Sequence, residues 1–221
     1  MAEKHYVSKA SCRQKGLLAF LAQDAGQRVF CYANAEIRKS DQNDEILAFV
    51  EFWRARTGKL PEELIFDSKL TTYANLDVLN KMGGISFITL RRRGPSGLSD
   101  TYARRMLIEN SISDGVDFFH IDTLSSVVAM KVNCDLQLTL MGSSLYRLLG
   151  ARIGGGYATA ESRHICRDFV QAPAQVTITS DAAEVKFGKR AHNPYLLAAG
   201  FGDSDVAVPW WQGRRLKLVF G

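Results

Sequence analysis

The candidate catalytic groups of this chain are two acidic side chains and the polar residues near one of them. Asp67 ends the apolar run 64–66, and Tyr102, Arg105 and Glu109 follow one another at i, i+3 and i+7. In a helix, that spacing places a phenol, a guanidinium and a carboxylate on one stripe. A guanidinium fork matches phosphate geometry, and carboxylates bind Mg²⁺ together with phosphate oxygens. These residue types therefore predict metal-dependent chemistry on a polyphosphate such as DNA.

The segment around Asp67 has the periodicity of alternating helices and strands. Four elements are predicted in this order: a helix over 44–56, a strand over 63–69, a helix with Leu76, Leu79 and Met82 that ends at 83–84, and a strand over 85–90. Asn43 is the expected N-cap of the first helix, and Gly58 is expected to end it. Because such alternation favours parallel strands with right-handed crossovers, Asp67 is expected at the carboxyl edge of an open sheet, where ligands bind.

The flanking segments predict further strands and one long helix. Residues 1–15 are polar and basic, and we expect a surface segment there. Residues 17–22 and 29–33 predict a hairpin, which leaves two strands before the first helix. The remaining elements are a strand over 127–132, a helix over 136–153, a hairpin of 176–179 with 184–187, and a strand over 216–220. The apolar face of the long helix is expected at Leu138, Met141, Leu145, Leu148 and Leu149, and the glycines 154–156 are expected to stop it.

The composition indicates a folded globular protein with a mild preference for anionic partners. The chain has 221 residues, 46% of them hydrophobic, and a formal net charge of +5. No apolar run approaches the roughly 20 residues of a membrane span, and the first residues lack an apolar signal stretch, so we expect a cytoplasmic protein without a membrane partner. The four cysteines and four histidines are scattered and form no zinc motif or disulfide framework.

Two motifs resemble the DDE-type insertion-sequence transposases of the Tyr-Arg-Glu-Lys signature group. The second acid of that family lies on a strand in an Ile-x-Asp-Ser setting, and residues 65–68 have this pattern. The third acid lies in a Tyr-x₂-Arg-x₃-Glu-x₆-Lys signature, of which Tyr102, Arg105 and Glu109 supply the first three members. Val116 stands where the signature has lysine. The resemblance is specific around the two acids and extends more loosely along most of the chain.

The resemblance implies a fold, an activity and a set of site residues. The fold is α/β, an RNase H-like mixed sheet flanked by helices, with a C-terminal helical and β extension. The domains would be a basic surface segment over 1–15, the catalytic core over 16–135 and the extension over 136–221, packed on the core. The activity is DNA strand cleavage and transfer at transposon ends, with Mg²⁺ or Mn²⁺ at Asp67 and Glu109, which are the catalytic residues. DNA would be contacted by Tyr102, Arg105, Arg91, Arg92 and Arg93.

The front of the chain departs from that family. An RNase H-like sheet starts with a three-stranded meander whose first strand carries the first catalytic aspartate. If residues 17–33 are the second and third strands, the first strand and its aspartate are expected upstream of Met1. Asp24 lies at the hairpin tip and is better explained as a turn residue. We therefore expect a truncated catalytic core that is inactive alone.

Three functional hypotheses remain open at this point. The chain is a transposase catalytic-domain fragment whose partners are double-stranded DNA and a second copy or a full-length transposase. Alternatively, it is a non-catalytic remnant that binds DNA or a transposase. In the third hypothesis it is an unrelated α/β phosphohydrolase with the same two acids. Each motif also has a structural explanation, because a lone Asp67 can cap the next turn and the arginines 91–93 can be a solvated loop.

Overall fold

The computed structural model describes residues 3–7, 12–89, 105–123, 125–202 and 205–221, and it shows an α/β protein. The chain divides into two compact units, Met1–Gly142 and Ser143–Gly221. Within the described residues, no helix combines the length and the apolar composition that a membrane span requires.

Unit 1 begins with two antiparallel hairpins. The first joins β1 (Glu3–Val7) to β2 (Cys12–Gly16), and the second joins β3 (Leu18–Gln23) to β4 (Phe30–Ile37). The second hairpin confirms the prediction for 17–33. The expectation of only two strands before the first helix is wrong, because β1 and β2 are mainly polar and their pairing leaves no apolar alternation in the sequence.

The first helix lies one residue from the predicted position. Helix α1 (Glu45–Thr57) ends at Gly58, which has φ 73° and whose N–H donates to the carbonyl oxygen of Arg54. That left-handed conformation favours glycine, which explains the stop. The N-cap is Asp44 instead of the predicted Asn43.

The elements around Asp67 follow the predicted order. Strand β5 (Glu63–Phe66) pairs in parallel with β6 (Ser86–Thr89), and helix α2 (Tyr73–Met82) connects them. Asn75 is buried and its Nδ2 donates to the carbonyl oxygen of Asn43 and to Oδ1 of Asp44, both at 2.8 Å. The start of α2 is thereby tied to the start of α1.

One hydrophobic core holds α1, α2, the β3–β4 hairpin and the β5–β6 pair together. Its buried members are Phe20, Ile37, Ile46, Phe49, Val50, Leu64, Phe66 and Leu79. A second cluster packs Ala35 against Leu136 and Leu140, which lie on helix α4 (Ala129–Ile153). Helix α3 (Arg105–Phe119) is anchored to β3 where Gln23 Nε2 donates to Ser111 Oγ at 2.8 Å.

Helix α4 differs from its prediction in two respects. Residues 129–132, expected in a strand over 127–132, form its first turn. A short run rich in valine does not distinguish a strand from a helix by periodicity alone. The predicted apolar face is wrong for four of its five residues, since Leu138, Met141, Leu145 and Leu148 are 48–66% exposed. It is right for Leu149, which packs against the cluster of Ile153, Ile165 and Phe169. Apolar residues occur on more than one side of this helix, and the buried ones in unit 1 are Leu136 and Leu140. The predicted stop is confirmed at Gly154, with φ 76°.

Unit 2 contains a four-stranded mixed sheet and two short helices. The strands are β7 (Ala174–Ile178), β8 (Ala182–Phe187), β9 (Asp205–Val208) and β10 (Arg214–Phe220), in the order β7-β8-β10-β9. The β7–β8 hairpin and the final strand confirm the predictions, and β10 pairs in parallel with β8. The short exposed strand β9 was not predicted. The helices are α5 (Ser162–Ile165), which continues as one π-helical turn over Cys166–Val170, and α6 (Asn193–Ala198).

Asp168 is a charged residue that is buried in unit 2. Ile153, Ile165 and Phe169 form the apolar cluster, and Asp168 is buried beside it. Arg167 Nε donates to Asp168 Oδ1 at 2.7 Å, and the Tyr157 hydroxyl donates to Oδ2 at 3.2 Å. The Arg167 hydrogen bond is the main reason why the pKa of Asp168 lies below its usual range. This carboxylate therefore has a structural explanation, as an ionised group that fixes the π-helical turn.

Candidate functional site in unit 1

Asp67 and Glu109 both line a cavity of about 680 Å³ in unit 1. It is lined by residues of β3 and the turn after it, and by β5 with its flanking residues. Ile46, Phe49 and Trp53 of α1 and Leu107, Ile108 and Ile112 of α3 contribute apolar lining. The volume is in the range of ligand sites, so the cavity is the natural place to locate the predicted residues.

Asp67 lines this cavity directly after the last residue of β5. Its Oδ1 accepts the backbone N–H of Lys69 at 2.9 Å, which caps the single 3-10 turn Ser68–Leu70. The side chain is half-buried. The turn-capping explanation of Asp67 is therefore correct, and the same residue also lies at the predicted carboxyl end of a parallel strand.

Glu109 lines the same cavity from α3. It lies two residues before Ser111, whose side chain accepts the hydrogen bond from Gln23 and is almost completely buried. That contact holds this part of α3 against the end of β3. The structure thus brings the two predicted carboxylates to one cavity from elements that are separated by α2 and β6.

The predicted DNA-binding residues cannot be placed in the same way. Tyr102, Arg91, Arg92 and Arg93 lie outside the described residues. Arg105 is the first residue of α3, four positions before Glu109, and its side chain also lies outside the described part. Their contribution to the site stays a prediction from the sequence.

Asp24 has a second position of interest besides its place in the turn. Its Oδ1 accepts the backbone N–H of Gln27 at 2.6 Å, so it is a turn residue, as expected. It nevertheless lines the same cavity as Asp67 and Glu109. Within the described part of the chain, however, no three side chains of His, Cys, Asp or Glu are grouped so that they could hold a metal ion.

Burial is the main cause of the raised pKa values of two residues of β4. The pKa of the Cys31 thiol is raised, mainly by burial and further by the negative charge of Asp24. In the core behind it, the Tyr32 hydroxyl donates to Glu45 Oε1 at 2.6 Å, and burial together with this bond raises the pKa of Tyr32 above its usual range. The sequence did not single out Cys31, because nothing in its neighbourhood resembles a thiol motif.

The charged residues of the described lining are mainly acidic. They are Asp24, Glu62, Glu63, Asp67 and Glu109, together with Lys59. Carboxylates can hold a divalent cation together with phosphate oxygens. Comparison with known proteins adds no relative, since no family model, no curated protein and no solved structure matches this chain.

Proposed function

We propose that this chain is a transposase-type catalytic domain with an RNase H-like core, which binds double-stranded DNA and does not cut it alone. The observation that carries the proposal is the position of Asp67 and Glu109 on one cavity. The sequence motifs alone do not require Asp67 and Glu109 to lie near each other in the fold. Their common cavity is what a shared phosphodiester site needs.

The order of elements in unit 1 supports the same proposal. A hairpin, a helix, a strand, a helix, a parallel strand and a further helix follow one another from β3 to α3. An RNase H-like core has this order with one more strand paired to the hairpin. In the described residues, β3 is paired with β4 alone.

The donor atoms at the cavity suit a hard divalent cation. Mg²⁺ is commonly held by one or two carboxylates together with substrate phosphates, and Asp67 and Glu109 would be those carboxylates here. A bound Mg²⁺ or Mn²⁺ would help to activate the attacking oxygen and offset charge on the leaving one. Asp67 is held by its bond to Lys69, so its carboxylate is oriented by the start of the turn.

The same donor set explains why we propose binding without cleavage. Two-metal phosphodiester sites hold ions about 3.5–4 Å apart, which requires several converging carboxylates. In the described residues no group of three metal-capable side chains converges. The chain therefore holds part of such a site, and DNA affinity is its expected activity.

DNA binding is expected to weaken steeply with salt. Each phosphate neutralised by the protein contributes about −0.9 to the slope of log K against log salt concentration, so Arg91→Ala, Arg92→Ala and Arg93→Ala together should reduce the slope by about 3. The measurement is a fluorescence-anisotropy titration of duplex DNA at a series of salt concentrations. The matched control is the triple alanine variant of Lys186, Lys189 and Arg190, which removes the same charge from unit 2. A flat salt response, or equal losses in both variants, would contradict binding through the arginine run.

No nicking of supercoiled plasmid is expected from this chain with Mg²⁺ or Mn²⁺. The measurement compares the unaltered chain with Asp67→Asn and Glu109→Gln, which keep the side-chain volumes and remove the charges. Nicking by the unaltered chain that both variants abolish would show a complete site and overturn the non-catalytic part of the proposal. Hydrolysis of p-nitrophenyl phosphate without DNA binding would favour a phosphohydrolase instead.

A further inference from the structure

Strand β7 is one edge of the four-stranded sheet in unit 2. The strand order is β7-β8-β10-β9, and among the described residues β7 pairs with β8 alone. All five residues of β7 are exposed, and Val176 and Ile178 are each 56% exposed. An open strand edge presents N–H and C=O groups that can pair with a further strand.

The hairpin turn after β7 shows which backbone groups lie on the open edge. The N–H of Thr179 donates to the carbonyl oxygen of Ala182 at 2.8 Å, so the backbone of Thr179 faces β8. Backbone groups alternate in direction along an antiparallel strand, so those of Ala174, Val176 and Ile178 face away from β8. These three residues can therefore form a ladder with another strand without disturbing the hairpin.

The side chains of the turn hold this edge in a fixed register. The Thr179 hydroxyl accepts the backbone N–H of Ala182 at 3.1 Å and donates to Asp181 Oδ1 at 3.0 Å. A short turn of this kind sets the register of the hairpin. An edge that is already ordered loses little conformational entropy when it pairs with a partner.

The two edges of the sheet differ in charge. Strand β7 has the sequence Ala-Gln-Val-Thr-Ile, which contains no charged side chain. At the other edge, β9 begins with Asp205, which lies 2.7 Å from Nε of Arg215, and Pro209 follows its last residue. Charged residues and proline are common means by which edge strands avoid pairing. Of the two edges, β7 is therefore the one suited to pairing.

We propose that β7 of one copy pairs antiparallel with β7 of a second copy of this chain, about a two-fold axis at Val176. The outward N–H and C=O of Val176 bond those of Val176 in the second copy, and Ala174 of each copy bonds Ile178 of the other. The two four-stranded sheets then form one continuous sheet. The pairing needs neither phosphate nor metal, so it goes beyond the proposed DNA binding and does not depend on it.

The properties of β7 favour a second copy as the occupant. The chain carries a net charge of +5, but two uncharged strands do not repel each other where they meet. Ala174, Val176 and Ile178 lie on one face of the strand, so the axis places apolar side chains opposite apolar side chains. An interface of one short strand per copy is small, and the dimer is therefore expected to be weak and reversible.

The symmetry of the pairing also limits the size of the assembly. A two-fold axis uses the β7 edges of both copies. The edges that remain outside are the two β9 strands, with Asp205 and Pro209 at their ends. The assembly therefore closes as a dimer and does not extend into a filament.

The test measures self-association of the whole chain by sedimentation velocity over a range of protein concentrations, without DNA. We expect a reversible monomer–dimer equilibrium. Val176→Lys should raise the dissociation constant by about tenfold or more, because it places two like charges opposite each other at the axis. The matched control is Val206→Lys, which adds the same charge at an equally exposed valine of β9 and should change the constant by less than about twofold.

Amide hydrogen exchange of the unaltered chain locates the interface independently of the variants. The amides of Val176 and Ile178 should become protected as the protein concentration rises, whereas that of Thr177, which faces β8, should be protected throughout. A chain that stays monomeric at all concentrations would overturn the proposal, and so would equal weakening by the two lysine variants. A dimer in which the Val176 amide still exchanges freely would place the interface elsewhere and would also overturn it.

Discussion

Phe49→Ala is expected to lower the free energy of unfolding of unit 1 by about 3–5 kcal/mol, the usual cost of removing a buried phenyl ring from a core. Phe49 is 5% exposed. Its ring centroid lies 5.6 Å from that of Tyr32, 6.1 Å from that of Trp53 and 6.3 Å from that of Phe20. The change removes contacts to β3, to β4 and within α1 at once, and it enlarges the cavity that Phe49 lines.

Trp53 provides the signal for this measurement. The chain has three tryptophans, and Trp210 and Trp211 belong to unit 2. In a background with phenylalanine at those two positions, the urea-induced change of Trp53 fluorescence reports unit 1 alone. The matched control is Tyr73→Ala, which removes an aromatic ring that is 75% exposed and should change stability by no more than about 0.5 kcal/mol. A Phe49→Ala variant as stable as the Tyr73→Ala control would show that the four aromatic residues do not form the core described here.

The two carboxylates limit how DNA can approach the proposed site. Asp67 and Glu109 lie on a cavity whose described lining carries one basic residue, Lys59. A phosphate at this position needs a divalent cation, so occupancy by metal and by DNA should increase together. The arginines 91–93, by contrast, need no metal to bind phosphate. Salt-dependent affinity without added metal is therefore expected to depend on the arginine run and not on the two carboxylates.

The elements that the sequence predicts best have apolar residues at a regular spacing and a residue such as glycine that marks their end. α1 has apolar residues at helical spacing and Gly58 at its end, and the β5–α2–β6 segment has two glycines after α2. In β1 and β2 the strands pair through the backbone without apolar alternation, so the sequence contains no signal for them. The buried face of α4 depends on what packs against it, and this cannot be read from a helix with apolar residues on several sides.

The candidate site was predictable only in part for a related reason. The order of Asp67 and Glu109 along the chain, and their elements, follow from local sequence. That both residues reach one cavity depends on the packing of α3 beside β3, which Gln23 and Ser111 fix across 88 positions of sequence. The presence of Asp24 and Glu62 at the same cavity is also a tertiary property, since they belong to segments that only folding brings together.

Two glycines in α4 are expected to respond to alanine with opposite signs. Gly142→Ala should raise the free energy of unfolding by about 0.5–1 kcal/mol, because glycine in a helix interior costs backbone entropy. A Cβ at this position would meet Phe119 Cε1 at 3.7 Å, an ordinary contact. Gly150→Ala gains the same entropy, but its Cβ would lie 2.5 Å from the carbonyl oxygen of Tyr157 and 2.9 Å from Cδ1 of Ile165. Backbone cannot yield as a flexible side chain can, so a net loss of about 1–3 kcal/mol is expected.

The comparison within one helix separates packing from propensity. Both substitutions are measured by urea unfolding of the whole chain, followed by far-ultraviolet circular dichroism. If propensity alone decided the outcome, the two variants would gain stability equally, and the close approach of residues 154–160 to α4 would be refuted. Opposite signs would show that Gly150 is required because Tyr157 comes closest to the helix there, and that the 3-10 segment Gly155–Thr159 packs on the last turns of α4. Tyr157 also donates to Asp168, so a displaced Tyr157 should weaken that hydrogen bond, while the Arg167 hydrogen bond, the main cause of the low pKa of Asp168, remains.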